Sequence, residues 1–280
     1  MKSQCSSHIF YLALFFLLFI SSNIHASEIR VSGASTIYPI LDSLSSSLST
    51  NAGTVMQLSG GGSGRGISDV REGVSDIGMV SRGLRADEIQ DLQYTTIALD
   101  TLVFVVNDAN PLKEINHQQL VSIYTRQVSW EEINNFSWPV ILVSKEIGRS
   151  TLDLFEEFTG LTSPERPNPS GRTIDSNAVV IGSNLEALTL VGGLQGGVGY
   201  VSLGAAASMR DAGLPIRILS LNAIEPSAQT INSGQYPIRR ELNLVYLERT
   251  PEIDSLLRLI SSPQGLEAIS NAGFIPTGGR

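Results

Sequence analysis

Hydroxyls, basic side chains and bare backbone recur together in this chain wherever a β-rich run gives way to a helical pattern. The densest case is residues 57–73, QLSGGGSGRGISDVREG, with Ser63 and Gly64 at its centre. Glycines there let the main chain take positive φ and let a ligand come close. The first N–H groups of a helix also carry a partial positive charge and have no internal acceptor. The chemistry that follows is the cradling of an anion. The same device returns at Gly33-Ala34-Ser35-Thr36, at Ser81-Arg82-Gly83 and at residues 144–151, where Lys145, Arg149, Ser150 and Thr151 supply two cations and two hydroxyls. Taken singly, each turn is equally an ordinary helix start: Ser35 or Thr36 is expected to cap the first helix, Ser150 with Asp153 has the form of a capping box, and Arg82 alone reads as a solvated arginine. Repetition is what argues for a ligand.

Such turns act together only if strands deliver them to one place. Residues 28–32, 54–59 and 76–80 read as strands. Between the first two, Ile37, Ile40, Leu41, Leu44 and Leu48 keep helical spacing. In an open parallel sheet ligands sit beyond the carboxyl ends of the strands, so the first three turns can converge. Residues 94–106 form one long β-rich run, after which the composition changes at Asn107-Asp108-Ala109-Asn110-Pro111. The expected division is a lobe of residues 27–106 plus 236–280 and a second lobe of 107–235, joined by two crossover strands. In the second lobe, 140–143, 196–201 and 216–221 read as strands, 117–124 and 179–191 as helices, and 162–176 as a surface loop. Trp130 and Trp138 read as packing residues. Helices are expected again at 251–260 and 264–271.

Residues 1–26 have Lys2, an apolar run over 9–20 and the ending Ile24-His25-Ala26, the layout of a cleavable export signal. The apolar run is about a dozen residues, short of the roughly 20 a membrane-spanning helix needs. The single cysteine, Cys5, would leave with that signal, and so would His8 and His25. A mature chain without cysteine has no disulfide, thiolate metal site or cysteine-linked lipid, which suits a soluble monomer in a periplasm. His117 alone then remains, too little for a histidine metal centre or a serine–histidine relay, and no cofactor or metal is expected. The full chain carries 19 Lys+Arg against 27 Asp+Glu, net −8, so a nucleic-acid partner or an anionic membrane surface is disfavoured. Any anion must be held by local dipoles and a few cations.

The motifs GASTIYPI (33–40), GGGSGRGI (60–67), SDIGMVSR (75–82), EIGRSTLDLFEEF (146–158), GGVGYVSLG (196–204) and the closing SPQG and GFIP are together specific. The chain resembles the phosphate-binding proteins that serve bacterial ABC transporters, in the type II periplasmic-binding-protein superfamily. The resemblance spans essentially all of the chain after residue 26. It implies an α/β fold of two lobes, each built on a sheet. It further implies a ligand set of Ser35, Thr36, Ser63, the N–H groups near Gly64, and Ser81 from one lobe, with Lys145, Arg149, Ser150 and Thr151 from the other. Arg82 is a further candidate beside Ser81. The implied ligand is inorganic phosphate or a related tetrahedral oxyanion, bound without chemistry as hinges near 99–106 and 236–247 close, and the implied partners are permease subunits. Three positions depart from the family pattern: Ser81 stands where an aspartate is usual, Lys145 where an arginine is, and Arg149-Ser150-Thr151 where Ser-Gly-Thr is. An oxyanion sensor or accessory surface protein is the alternative within the binding class. A secreted hydrolase using the serine-rich turns is the alternative outside it, although the chain has neither a G-x-S-x-G elbow nor a phosphate loop ending in G-K-[ST].

Overall fold

A computed structural model describes residues 27–169 and 171–277. The expected export signal and Cys5 lie outside the described residues.

The first lobe starts as its hydrophobic spacing dictates. β1 (Ser27–Gly33) leads to α1 (Tyr38–Ala52), whose Ile40, Leu41, Leu44 and Leu48 are buried along one side and which Gly53 ends in the left-handed region at φ 64°. β2 (Thr54–Gly60), α2 (Ser63–Arg71), β3 (Ile77–Val80), α3 (Ala86–Ile89) and β4 (Gln93–Asp100) follow. β5 (Leu102–Asn107) opens the second lobe, which continues through β6 (Glu114–Ile115), α4 (His117–Tyr124), α5 (Trp130–Asn134), β7 (Ile141–Lys145) and α6 (Ser150–Thr159). It is completed by β8 (Val179–Ile181), α7 (Asn184–Gly193), β9 (Gly197–Ser202), α8 (Leu203–Asp211), β10 (Ile216–Ile218), β11 (Ser220–Leu221) and α9 (Ala228–Asn232). The chain then returns as β12 (Arg240–Tyr246), α10 (Pro251–Ser261), α11 (Pro263–Asn271) and β13 (Ile275–Pro276).

Strand order is β13-β4-β12-β3-β1-β2 in the first sheet and β10-β5-β9-β7-β8 in the second, with β6 and β11 pairing apart. β1, β2 and β3 are mutually parallel, as are β9, β7 and β8; β12 and β4 pair antiparallel. Two main apolar cores result, beside a smaller cluster of Ile67, Val70, Val80, Leu92 and Val245. One gathers Ile29, Ile37, Leu41, Met79, Leu244 and Leu256, and the other Phe104, Tyr124, Leu152, Phe155 and Tyr200.

The sheets place the lobe boundary differently from the sequence reading. Residues 94–106 are not one crossover strand of the first lobe: the chain changes sheets at Thr101, because β4 pairs with β12 while β5 pairs with β9 and β10. On the return, Tyr236 and Ile238 belong to the second core. The Thr101 hydroxyl donates to the Ile238 carbonyl, fastening the two crossings to one another. The 179–191 run, read as one helix, is instead β8, a turn at Gly182-Ser183 and α7, and the 216–221 run is two short strands. Trp130 is buried with its Nε1 donating to the Gly196 carbonyl at 2.9 Å, whereas Trp138 is exposed.

Two glycines bring the α2 N-terminus down onto the strand ends. A Cβ on Gly66 would stand 3.0 Å from the Ser32 and Met79 carbonyl oxygens, and one on Gly78 would stand 2.5 Å from the Gly66 oxygen. Gly78→Ala is expected to force α2 off β3 at a cost of about 1–3 kcal/mol, the usual cost of overpacking a close contact. The shift of the urea midpoint measures it.

Candidate anion-binding site

Register delivers the turns to one place. Gly33 lies opposite Gly60 and Met79, so β1, β2 and β3 end abreast; Lys145 lies opposite Ile181, so β7 and β8 do too. The turns that follow face each other between the sheets and enclose a cavity of about 20 Å³. Ser35, Thr36, Ser63 and Ser81 line it from the first lobe, and Lys145, Arg149, Ser150, Thr151, Ser183 and Asn184 from the second. A space of that size among donors takes one small polar group, not a whole metabolite.

α2 and α6, whose first residues Ser63 and Ser150 line the cavity, have no side-chain cap, and neither does α1, which follows the lining turn Ser35-Thr36. Away from the cavity α4, α5, α9, α10 and α11 are closed by Asn116, Ser129, Ser227, Thr250 and Ser262, while α8 has no side-chain cap; at the cavity itself α7 is capped by Ser183. The expected caps therefore do not form. Ser35 and Thr36 precede the N-cap residue Ile37, and Ser150 is the first residue of α6 rather than its cap. Asp153 turns instead to Arg166 at 2.7 Å. Two positive helix ends, one from each lobe, thus open onto the cavity with their first N–H groups uncapped by side chains.

Two of the ten expected residues stand apart from the cavity lining. Arg82 is buried, but its guanidinium forks onto Glu88 at 2.7 and 2.8 Å. A carboxylate six residues on takes both of its Nη atoms, leaving only Nε without a hydrogen bond. Gly64 gives its N–H to the Gly148 carbonyl across the cleft at 3.3 Å. The other eight line the cavity.

The hydroxyls join the lobes directly. Ser63 Oγ accepts the Ser81 N–H at 3.0 Å and the Ser150 hydroxyl, so its own proton is left for an acceptor inside the cavity. Thr36 Oγ1 accepts from Asn184 Nδ2 at 3.2 Å and from Arg240 Nη2 at 3.4 Å. Outside the cavity, Arg82 and Arg85 of the first lobe reach Asp153 of the second at 3.7 and 3.5 Å. These contacts describe a closed cleft.

Lys145 is set by the second core. Phe155 and Tyr200 stack at 4.2 Å, and the Tyr200 hydroxyl takes the Lys145 N–H at 3.2 Å and pairs with Ser144 Oγ at 2.9 Å. The Lys145 ammonium is 2 % exposed and donates to the Ser183 carbonyl at 2.5 Å. Burial pulls its pKa down to about 7; Arg149 and Arg240 add to the fall, against Glu186 and Glu146. Arg149 is half-buried and pairs with Glu146 at 2.7 Å, so its charge reaches the cavity partly offset.

Asn184, Ser183 and Arg240 were missed in the sequence. Ser183-Asn184-Leu185-Glu186 is a capping-box signature, and Glu186 does accept the Gly182 and Ser183 N–H groups at 2.7 and 3.2 Å. That signal could have marked the fifth turn. Nothing local marked Arg240.

A family model described as the PBP superfamily domain matches residues 21–261. The chain belongs to the PBP superfamily. A phosphate-binding protein PstS of Borreliella burgdorferi is 23% identical over 252 residues, covering 88% of this chain and 89% of its own. The solved structure of a phosphate ABC transporter substrate-binding protein with bound phosphate from Clostridium perfringens aligns with TM-score 0.80 at 25% identity, over 90% of this chain and 100% of that one. An ABC-type phosphate transport receptor from Vibrio cholerae aligns with TM-score 0.69 at 27% identity, over 89% and 100%. The two-lobed architecture is that of the type II periplasmic binding proteins, and these PBP relatives are solute-binding proteins. Among the described residues no helix is long and apolar enough to cross a membrane, and no group of three His, Cys, Asp or Glu could hold a metal ion. Ser81 brings no carboxylate to the cavity, and none of the other lining residues is acidic.

Proposed function

We propose that the protein captures inorganic phosphate, or a closely similar tetrahedral oxyanion, in the periplasm and passes it to the permease subunits of an ABC importer. One observation carries this reading: two uncapped helix N-termini, α2 from one lobe and α6 from the other, meet with the Ser35-Thr36 turn around a cavity lined by hydroxyls and two cations. Ser35, Thr36, Ser63, Ser81, Lys145, Arg149, Ser150 and Thr151 are the proposed ligands. Because donors come from both lobes, the closed form is the one a ligand stabilises, with movement about the crossings at Thr101 and Ile238. The closed pair of lobes is what a permease would recognise.

Hydrolysis is poorly served by the same geometry. Ser63 is bonded to an amide and to another hydroxyl, and Lys145 Nζ to a carbonyl, so no serine in the cavity has the hydrogen-bonded base that nucleophilic catalysis needs. Phosphate at 100 times its Kd should add about 2.7 kcal/mol, a rise in Tm of about 5–10 °C. Thermal shift with phosphate, arsenate, sulfate and molybdate, run beside a phosphatase assay, tests this: stabilisation without turnover is expected, and turnover or the lack of any shift contradicts it.

Lys145 makes binding proton-linked. A bound anion favours the ammonium, so above pH 7 binding takes up a proton and the lysine's contribution to affinity falls as pH rises through 7. In the unliganded protein the sign is opposite: between 7 and the ordinary lysine value the unfolded chain holds the extra proton, so stability rises with pH. Calorimetry in buffers of different ionisation enthalpy should show an uptake that Lys145→Met removes, which separates it from the ligand's own titration.

A further inference from the structure

The anion cavity does not end blindly. Ser35, Thr36, Ser183 and Asn184 also form one end of a groove of about 380 Å³ that runs between the lobes. Its other walls are apolar: Tyr38 and Phe274 from the first lobe, and Leu188, Ala205 and Met209 from the second. Of the residues shared by cavity and groove, Asn184 and Thr36 meet across the cleft, Asn184 Nδ2 donating to Thr36 Oγ1 at 3.2 Å. Rotation of one carboxamide would join the two spaces.

The donor set bears on what can occupy the joined space. A monoprotonated phosphate presents a P–O–H donor, which needs an acceptor once buried. No carboxylate lines the cavity, so only neutral hydroxyl and carbonyl oxygens could accept it, and the Ser183 carbonyl already takes the Lys145 ammonium. A phosphoryl group whose fourth substituent is carbon or an ester oxygen has no such proton in its dianion, the form reached near neutral pH. An apolar substituent there would leave through the Thr36–Asn184 side into a groove of ordinary ligand-pocket volume with a mostly apolar lining.

We propose that the site takes a monosubstituted phosphoryl compound, a phosphonate or phosphate monoester with a short apolar substituent, with its head among Ser63, Ser81 and Ser150 and its substituent along Tyr38, Leu188, Ala205 and Phe274. This rests on the oxyanion reading above and narrows its ligand class. The probes are inorganic phosphate and phenylphosphonate, measured by calorimetry on the full mature chain. Phenylphosphonate should bind at least as tightly as phosphate. Filling the groove with Ala205→Trp should weaken phenylphosphonate about tenfold or more, the scale at which an apolar pocket discriminates, and leave phosphate within about twofold. Ser208→Trp, at an exposed position on the same wall, makes the same test should Ala205→Trp fail to fold. Binding of phosphate alone, or phenylphosphonate binding that neither variant changes, overturns the inference and leaves the phosphate reading standing. If neither anion binds, both fall.

Discussion

Ser63→Asp is expected to abolish phosphate binding, by about a thousandfold, in a protein that still folds. Ser63 is 1 % exposed, begins α2 and lies between the Ser81 amide and the Ser150 hydroxyl. A carboxylate there meets the donors that an anion would otherwise meet, and a negative group at a helix N-terminus is favourable. The fold should therefore tolerate it, and Tm should not fall. A second anion would then sit about 4 Å from a fixed negative charge, a repulsion of about 4 kcal/mol at the effective dielectric of such sites. Ser63→Ala separates charge from the loss of a donor: it removes one hydrogen bond and should weaken binding by about tenfold only. Calorimetry on both variants checks this. Phosphate affinity unchanged in Ser63→Asp would place the anion elsewhere.

Asp100→Ala should lower stability by about 3–5 kcal/mol, the largest effect expected of a residue outside the cavity lining. Asp100 and Arg240 face each other at the end of the β4–β12 ladder, the last pairing before the two crossings separate. Both side chains are wholly buried, and two guanidinium nitrogens reach Asp100 Oδ2 at 2.6 and 2.8 Å. Removing the carboxylate strands a cation beside Thr36 and close enough to influence Lys145. Replacing both partners with apolar residues, Asp100→Leu with Arg240→Met, should recover most of the loss, because desolvation then vanishes along with attraction. Urea denaturation of the single and double variants decides it. A single variant as stable as the double would mean that Arg240 finds another partner or water.

The turns were legible because each concentrates its signal within a few residues. Ser63 in GGGSGRGI, Ser81 after a buried strand and Ser150-Thr151 before an amphipathic helix announce a strand end, an open backbone and a helix start. What failed depended on distance or on uniformity. Arg82 looked available because Glu88 is outside its turn, yet the two meet in a fork. Arg240 is 140 residues from Asp100 and only the antiparallel ladder unites them. The change of sheet at Thr101 is marked only by the polar pair Asp100-Thr101 between two β-rich stretches, which does not say that the stretches join different sheets. Asn184 was hidden by an apolar stretch read as one helix, although Ser183 and Glu186 carried the capping signal. The missing caps on α1 and α6 were also invisible, because serines and threonines at a helix start suit a cap and a ligand equally well.

The central claim is that turns from two lobes share one tetrahedral anion. Anomalous diffraction from crystals grown with arsenate tests it most directly. A single arsenic peak is expected between α2 and α6, with its oxygens about 3 Å from the hydroxyls of Ser63 and Thr151 and from Lys145 Nζ. An arsenic peak on the outer surface, or bound to one lobe alone with the cleft empty, would contradict it.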